Sequence, residues 1–274
     1  MGPIRPVSIN DEQKCDLCSS FCSPTDLQSG THPNRLLNIA EIANKYNFVS
    51  VASWAVDHVY ASVQDPTGPI RSASSDVCAR ILNVAVLCDH GSLRDMMIDR
   101  LIFRILWQKL PPGPALVIAE KHGLRKLQGV AYYRQLVNME QASPRSSRDT
   151  AQLIFPPTLD VEKRMHFLSA HHSLSNLWKC LRMTAPVFQS DGCPCHSTCL
   201  GTWRRIWLEA GKAATVMRHE SADVLGRLHS MEKRIGKLAS DTPITLQCSM
   251  DALEAVSAMI DDIVDGLMDH FEYF

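Results

Sequence analysis

The 274 residues predict an all-α fold: stacked helical hairpins in a solenoid-like array, followed by a second helical module. Three observations lead there. Apolar residues recur at helical spacing along most of the chain after residue 33, and no run reads better as a strand than as a helix. The breaks between periodic stretches also carry residues that end or begin helices.

Residues 1–33 hold four prolines and many Ser, Thr, Asp and Asn with no sustained period, which predicts an irregular, Cys- and Pro-containing arm. The pattern changes at Asn34. In "NRLLNIAEIANKYNFVSVASWAVDHVYASV", Leu36, Leu37, Ile39, Ala40 and Ala43, then Val51, Trp54, Ala55 and Val59, predict two helices joined near Asn47. Residues 78–106, "CARILNVAVLCDHGSLRDMMIDRLIFRIL", repeat the arrangement. There Gly91 is suited to the left-handed turn that ends a helix, and Ser92 to capping the next. A third pair, residues 115–139, breaks at "KHGL" around Gly123. The segments "IANKYNFVSV", "VLCDHGSLRD" and "IAEKHGLRKL" share one weak pattern. Such hairpins bury their apolar faces only against neighbours.

"SPRSSRDTAQLIFPPT" (143–158) marks the boundary between a hairpin array at 34–142 and a C-terminal module at 159–274. In that module "LDVEKRMHFLSAHHSLSNLWKCLRM" predicts one helix or a broken pair, with Leu174, Leu177, Trp178 and Leu181 on one face. The loop "TAPVFQSDGCPCHST" leads into "CLGTWRRIWLEAGKAA", whose Leu200, Trp203, Ile206 and Trp207 share a face. Ser221 is placed to cap an amphipathic helix through Val224, Leu225, Leu228, Met231 and Ile235. A last amphipathic helix is predicted from about Thr245 to His270.

Charge narrows the partners. Lys and Arg total 28 against 29 Asp and Glu, so no net field draws the chain to nucleic acid or to an anionic membrane. No apolar run approaches the roughly 20 residues that span a bilayer, and no apolar core of a signal peptide follows the N-terminus. The expectation is a cytoplasmic or nuclear protein.

Ten cysteines fall into two clusters, Cys15, Cys18 and Cys22, and Cys193, Cys195 and Cys199, plus singles at Cys78, Cys88, Cys180 and Cys248. In "GCPCHSTC" Cys193, Cys195, His196 and Cys199 are candidate zinc ligands. Adjacent Cys195 and His196 seldom serve one ion together, so a full site draws on another segment, and "CDLCSSFC" offers Cys15 and Cys18 at CxxC spacing. Two alternatives stand beside zinc: small half-buried side chains packing in a loop shaped by Gly192 and Pro194, and a redox pair.

Enzymatic signatures are sparse. Asp261, Asp262 and Asp265 form DDxxD, the arrangement by which all-α isoprenoid synthases hold magnesium, or else a solvated acidic face. "HHS" at His171, His172 and Ser173 offers a base and a hydroxyl without an orienting acid. No phosphate loop, GxGxxG, GxSxG or HExxH is present, and Arg204, Arg205, Arg227, Lys233, Arg234 and Lys237 read as helix surfaces.

"LLNIAEIANKYNFVSVASWAVDHVY" resembles the helical pair that closes a BTB/POZ domain. "VLCDHGSLRD", "IAEKHGLRKLQGVAYYRQL", the Cys/His loop before "TWRRIW", "SADVLGRL" and "GLMDHF" are similar, in that order, to the C-terminal region of the large BTB family of mushroom-forming fungi. The resemblance spans about residues 34–274 and implies an adaptor that binds proteins. The mixed α/β core of a BTB domain precedes this hairpin in the family, and here the arm stands in its place. A non-enzymatic protein-interaction scaffold is therefore the expected function, with a magnesium-dependent all-α enzyme using DDxxD as the alternative.

Overall fold

The computed structural model describes residues 33–141, 153–190, 192–240 and 242–272. The arm up to residue 32 and most of the 143–158 segment lie outside them, and so do Cys15 and Cys18 as candidate ligands. Among the described residues the structure is all-α, with no strand. The α-helices are α1 (Pro33–Lys45), α2 (Val49–Gln64), α3 (Ser75–Leu87), α4 (Gly91–Trp107), α5 (Gly113–His122), α6 (Arg125–Gln141), α7 (Val161–Leu181), α8 (His196–Ala210), α9 (Ala214–Met217), α10 (Val224–Ser240) and α11 (Leu246–Gly266). Short 3₁₀ turns occupy Pro69–Ser72 and Leu267–His270. No described helix is long and apolar enough to cross a membrane.

The chain divides into two compact units, one ending at Asp95 and the other beginning at Met96. In the first, α1 and α2 form the predicted hairpin and α3 packs on both. Its core is Leu36, Leu37, Ala40 and Ala43 with Ala52, Ala55, Val56, Val59, Ile81 and Leu82. Asn47 makes the turn with φ 58°, a left-handed conformation that Asn tolerates better than most residues. Arg80 grips Glu41 through two hydrogen bonds, at 2.8 and 2.7 Å, tying α3 to α1.

The break before α4 differs from expectation. Asp89, not Gly91, takes the left-handed conformation, with φ 53°. His90, not Ser92, supplies the cap, its Nδ1 accepting from the Leu93 N–H at 3.0 Å. Gly91 is simply the first residue of the helix.

In the second unit α5 and α6 form a hairpin across Gly123, whose φ of 64° suits glycine. Helix α6 then departs from nearest-neighbour stacking, because α11 and the C-terminal 3₁₀ turn also pack on it. Its buried residues, including Leu127, Val130, Ala131, Tyr133, Leu136, Val137 and Met139, lie on several sides, as a helix with neighbours all round requires. Gly129 permits the closest approach: a Cβ there would lie 2.6 Å from the Met268 backbone nitrogen. Tyr132 stacks on Phe271 at 5.4 Å, and Phe167 of α7 meets both rings edge-on at 5.8 Å, which absorbs "GLMDHF" into this core.

Helix α7 is one unbroken helix, capped by Asp160, which accepts from the Lys163 N–H at 2.7 Å. The cap of α10 is Asp223 rather than Ser221: Asp223 Oδ1 accepts from the Gly226 N–H at 3.0 Å. Arg227 is another departure. It is buried rather than on a helix surface, lies over the Trp178 ring at 5.1 Å and donates to the His219 carbonyl at 3.1 Å.

Candidate metal centre

The end of α7 and the following residues 182–190 are held against α8 by two tryptophans whose apolar bodies are buried while each indole N–H reaches a carbonyl. Trp203 donates to Pro186 and Trp207 to Leu181, both at 2.9 Å. Phe188 closes the loop against Trp203 and His196, with ring centroids 6.1 and 5.4 Å away. The chain then turns through Gly192, at φ 84°, and Cys195 becomes the residue preceding α8. One turn later Cys199 points inward and is buried.

This path brings the sulfurs of Cys193, Cys195 and Cys199 to within 4.8 Å of one another. The Cys193–Cys195 and Cys195–Cys199 separations are 3.7 and 3.8 Å. None of the described cysteines is in a disulfide. With Zn–S bonds of about 2.3 Å, a regular tetrahedron of sulfurs has edges of about 3.8 Å. The trio thus has the spacing of one face of a zinc–thiolate centre, and can hold such an ion. Cys193 is half-buried, Cys195 exposed and Cys199 buried, so the cluster lies at the edge of the core.

The start of α11 completes the surroundings. Thr245 caps this helix, its hydroxyl oxygen accepting from the Cys248 N–H at 3.3 Å. The same oxygen lies 3.6 Å from Cys193 Sγ and 3.8 Å from Cys199 Sγ, where its hydrogen can be donated to a thiolate. Cys248 Sγ is 3.6 Å from His196 Nδ1. The Cys195 thiol is pushed up to about 11 by its hydrogen bonds to Cys193 and Cys199. For Cys248 burial acts upward, but hydrogen bonds with Thr245, Ser190, Cys193 and Cys199 outweigh it and leave the thiol below its usual value. Cys248 was a single, unclustered cysteine in the sequence, and only the pairing of α8 with α11 brings it here.

The remaining candidates are dispersed. Asp261, Asp262 and Asp265 are exposed on α11, and Asp265 is paired with Lys126 at 2.7 Å. "HHS" splits three ways: His171 lies 3.0 Å from Ser221 Oγ, His172 is 2.8 Å from Asn176, and Ser173 is 2.8 Å from His270.

A buried polar network that the sequence did not reveal links α6 to the turn before α10. Glu140 accepts from the Ser221 and Ala222 N–H groups at 2.9 and 3.1 Å, and from the Ser221 hydroxyl. Tyr133 donates to Asp223 at 2.7 Å and accepts from the Leu225 N–H at 3.0 Å. Asp223 is also 2.9 Å from His219, which in turn meets Ser230 at 2.7 Å. Burial pushes the Glu140 carboxyl upward, yet His171, Ser221 and the two N–H groups outweigh it and hold the group at about 2. Both carboxylates serve the backbone of one turn.

No protein-family model matches the chain, and no curated protein or solved structure matches it.

Proposed function

We propose that the chain is a non-enzymatic, protein-binding scaffold of BTB-related type whose C-terminal unit is braced by a zinc–thiolate centre. The thiol trio at tetrahedral spacing, formed between a loop and the first turn of α8, carries the reading. Structural zinc sites use closed sets of protein ligands, whereas catalytic ones keep a position open for substrate or water beside a general base. The capping hydroxyl of Thr245 lies beside this trio, and the Cys248–His196 pair joins the same two helix starts, which suits a brace.

Two further observations support the scaffold. The buried carboxylates Glu140 and Asp223 are both held below their usual values and are met by backbone N–H groups around the start of α10 and by side chains of α6 and α7, as structural anchors are. At the α1–α2 turn Ile42, Tyr46, Phe48 and Val49 are each about half or more exposed, at 58, 62, 48 and 69%, a concentration of apolar side chains that suits a protein partner. The near-zero net charge fits that partner better than nucleic acid or membrane.

Native mass spectrometry of the chain purified without chelator tests the proposal, with one zinc per chain expected. A metal-free mass would remove the brace. Substrate turnover that disappears in the Asp261→Asn, Asp265→Asn double variant would replace the scaffold by the magnesium-dependent enzyme.

A further inference from the structure

The trio supplies three corners of a tetrahedron, and the identity of the fourth decides what the centre joins. Among the described residues two side chains compete, Cys248 and His196. Cys248 is fully buried and stands in the first turn of α11 beside Thr245, whose hydroxyl oxygen accepts from the Cys248 N–H and lies 3.6 and 3.8 Å from the Cys193 and Cys199 sulfurs. His196 follows Cys195 directly, and two adjacent residues can hardly both turn toward one ion. His196 Nδ1 meets the Cys248 sulfur at 3.6 Å, and its ring is set edge-on against Phe188.

We propose that Cys248 is the fourth ligand, so that the chain holds one zinc ion in a Cys193, Cys195, Cys199 and Cys248 tetrathiolate, with His196 hydrogen-bonding the Cys248 sulfur from outside the coordination sphere. This rests on the metal reading above and deepens it. Four thiolates around a dication carry a net charge of −2, and the surroundings answer it. Cys195 and Cys248 stand at the N-termini of α8 and α11, helices of 15 and 21 residues whose free N–H groups and dipoles favour negative charge. Thr245 spends its lone pair on the Cys248 N–H, which leaves its hydrogen for Cys193 or Cys199. A hydrogen bond from the His196 ring to a ligating sulfur is the usual kind of outer support. Soft, tetrahedral, all-sulfur coordination selects zinc among the common divalent ions, with iron as the competitor. The ion would fasten the 192–195 loop and the start of α8 to the start of α11, closing a chain loop of about fifty residues.

The test compares the full-length wild type with Cys199→Ser, Cys248→Ser, Cys248→His and His196→Gln. Zinc content is measured by mass spectrometry, affinity by competition with a chromophoric chelator, and ligand type by the absorption of the cobalt-loaded protein. Wild type should carry one zinc and show the charge-transfer bands of four thiolates. Cys248→Ser should weaken zinc by more than about 100-fold, beyond the roughly 10- to 100-fold that loss of an outer partner costs. Cys248→His should restore binding with a spectrum of three thiolates, which keeps the answer clear if the serine variant folds poorly. His196→Gln should keep one zinc and all four thiolate bands. Zinc lost in His196→Gln but retained in Cys248→Ser would overturn the assignment while leaving a metal centre in place. A wild type that binds no zinc, or that binds iron, would overturn both this inference and the reading beneath it.

Discussion

Replacing Glu140 by Gln preserves the shape of a buried side chain, 4% exposed, while removing its charge. The carboxylate accepts from two backbone N–H groups, so the amide must present its own N–H₂ to one of them and leave that donor unpaired. A carboxyl held at about 2 in the folded chain against an ordinary 4.5 favours folding by about 3 kcal/mol at neutral pH. The sign follows from which form is stabilised. The folded state prefers the ionised group, so the contribution is complete above the unfolded value near 4.5 and disappears as pH falls through 2. At pH 3 about 1.4 kcal/mol remains. Asp223 is lowered as well and contributes in the same direction, but it is present in both proteins and cancels in their difference. Urea unfolding followed by circular dichroism at pH 7 and pH 3 should therefore show a penalty for Glu140→Gln of on the order of 3 kcal/mol that roughly halves in acid. A penalty below about 1 kcal/mol at pH 7, or one that is equal at both pH values, would refute the argument.

Chelation should lower the melting temperature by about 10 °C, the shift expected when an ion present at about a thousand times its dissociation constant is withdrawn from a unit of this size; calorimetry with and without chelator checks it. Gly129→Ala should destabilise by about 1–3 kcal/mol, since the new methyl meets the Met268 backbone at 2.6 Å; an increase in stability would contradict the close approach. Gly236→Ala, inside α10 with nothing within 4 Å of the added methyl, should instead stabilise by about 0.5–1 kcal/mol in the same denaturation assay. Asp265→Asn breaks only an exposed pair with Lys126 and should change stability by less than about 1 kcal/mol.

Helical periodicity was readable wherever one face is buried and the other wet. The α1–α2 hairpin and the break at Gly123 fall where the pattern places them, while α8 begins three residues before the periodic stretch that starts at Cys199. Caps were harder, because several residue types in a short stretch compete for one geometry. Ser221 and Asp223 both resemble caps, and only the tertiary setting decides: Glu140 engages Ser221, which leaves Asp223 to the N–H groups of α10. The candidate metal centre, with the fourth ligand proposed for it, was half legible. CxC with a third cysteine four residues on is a local signal, but Cys248 lies 49 residues beyond Cys199, alone in an amphipathic helix, and spacing cannot predict which helix starts meet. Arg227 was misread for a similar reason, since a guanidinium stacked on Trp178 is indistinguishable in sequence from one in solvent.

The close seat of Met268 on Gly129 has a consequence for the order of events during synthesis. Helix α6 leaves the ribosome about 140 residues before the segment that covers it. At about 5–20 residues per second that interval is roughly 7–28 s. Throughout it Gly129 and Tyr132 lack their eventual cover, and the α5–α6 hairpin can fold locally without finding its final neighbours. Nascent chains of this protein are thus most exposed to misassociation, and most in need of a chaperone, between the emergence of α6 and the arrival of Phe271.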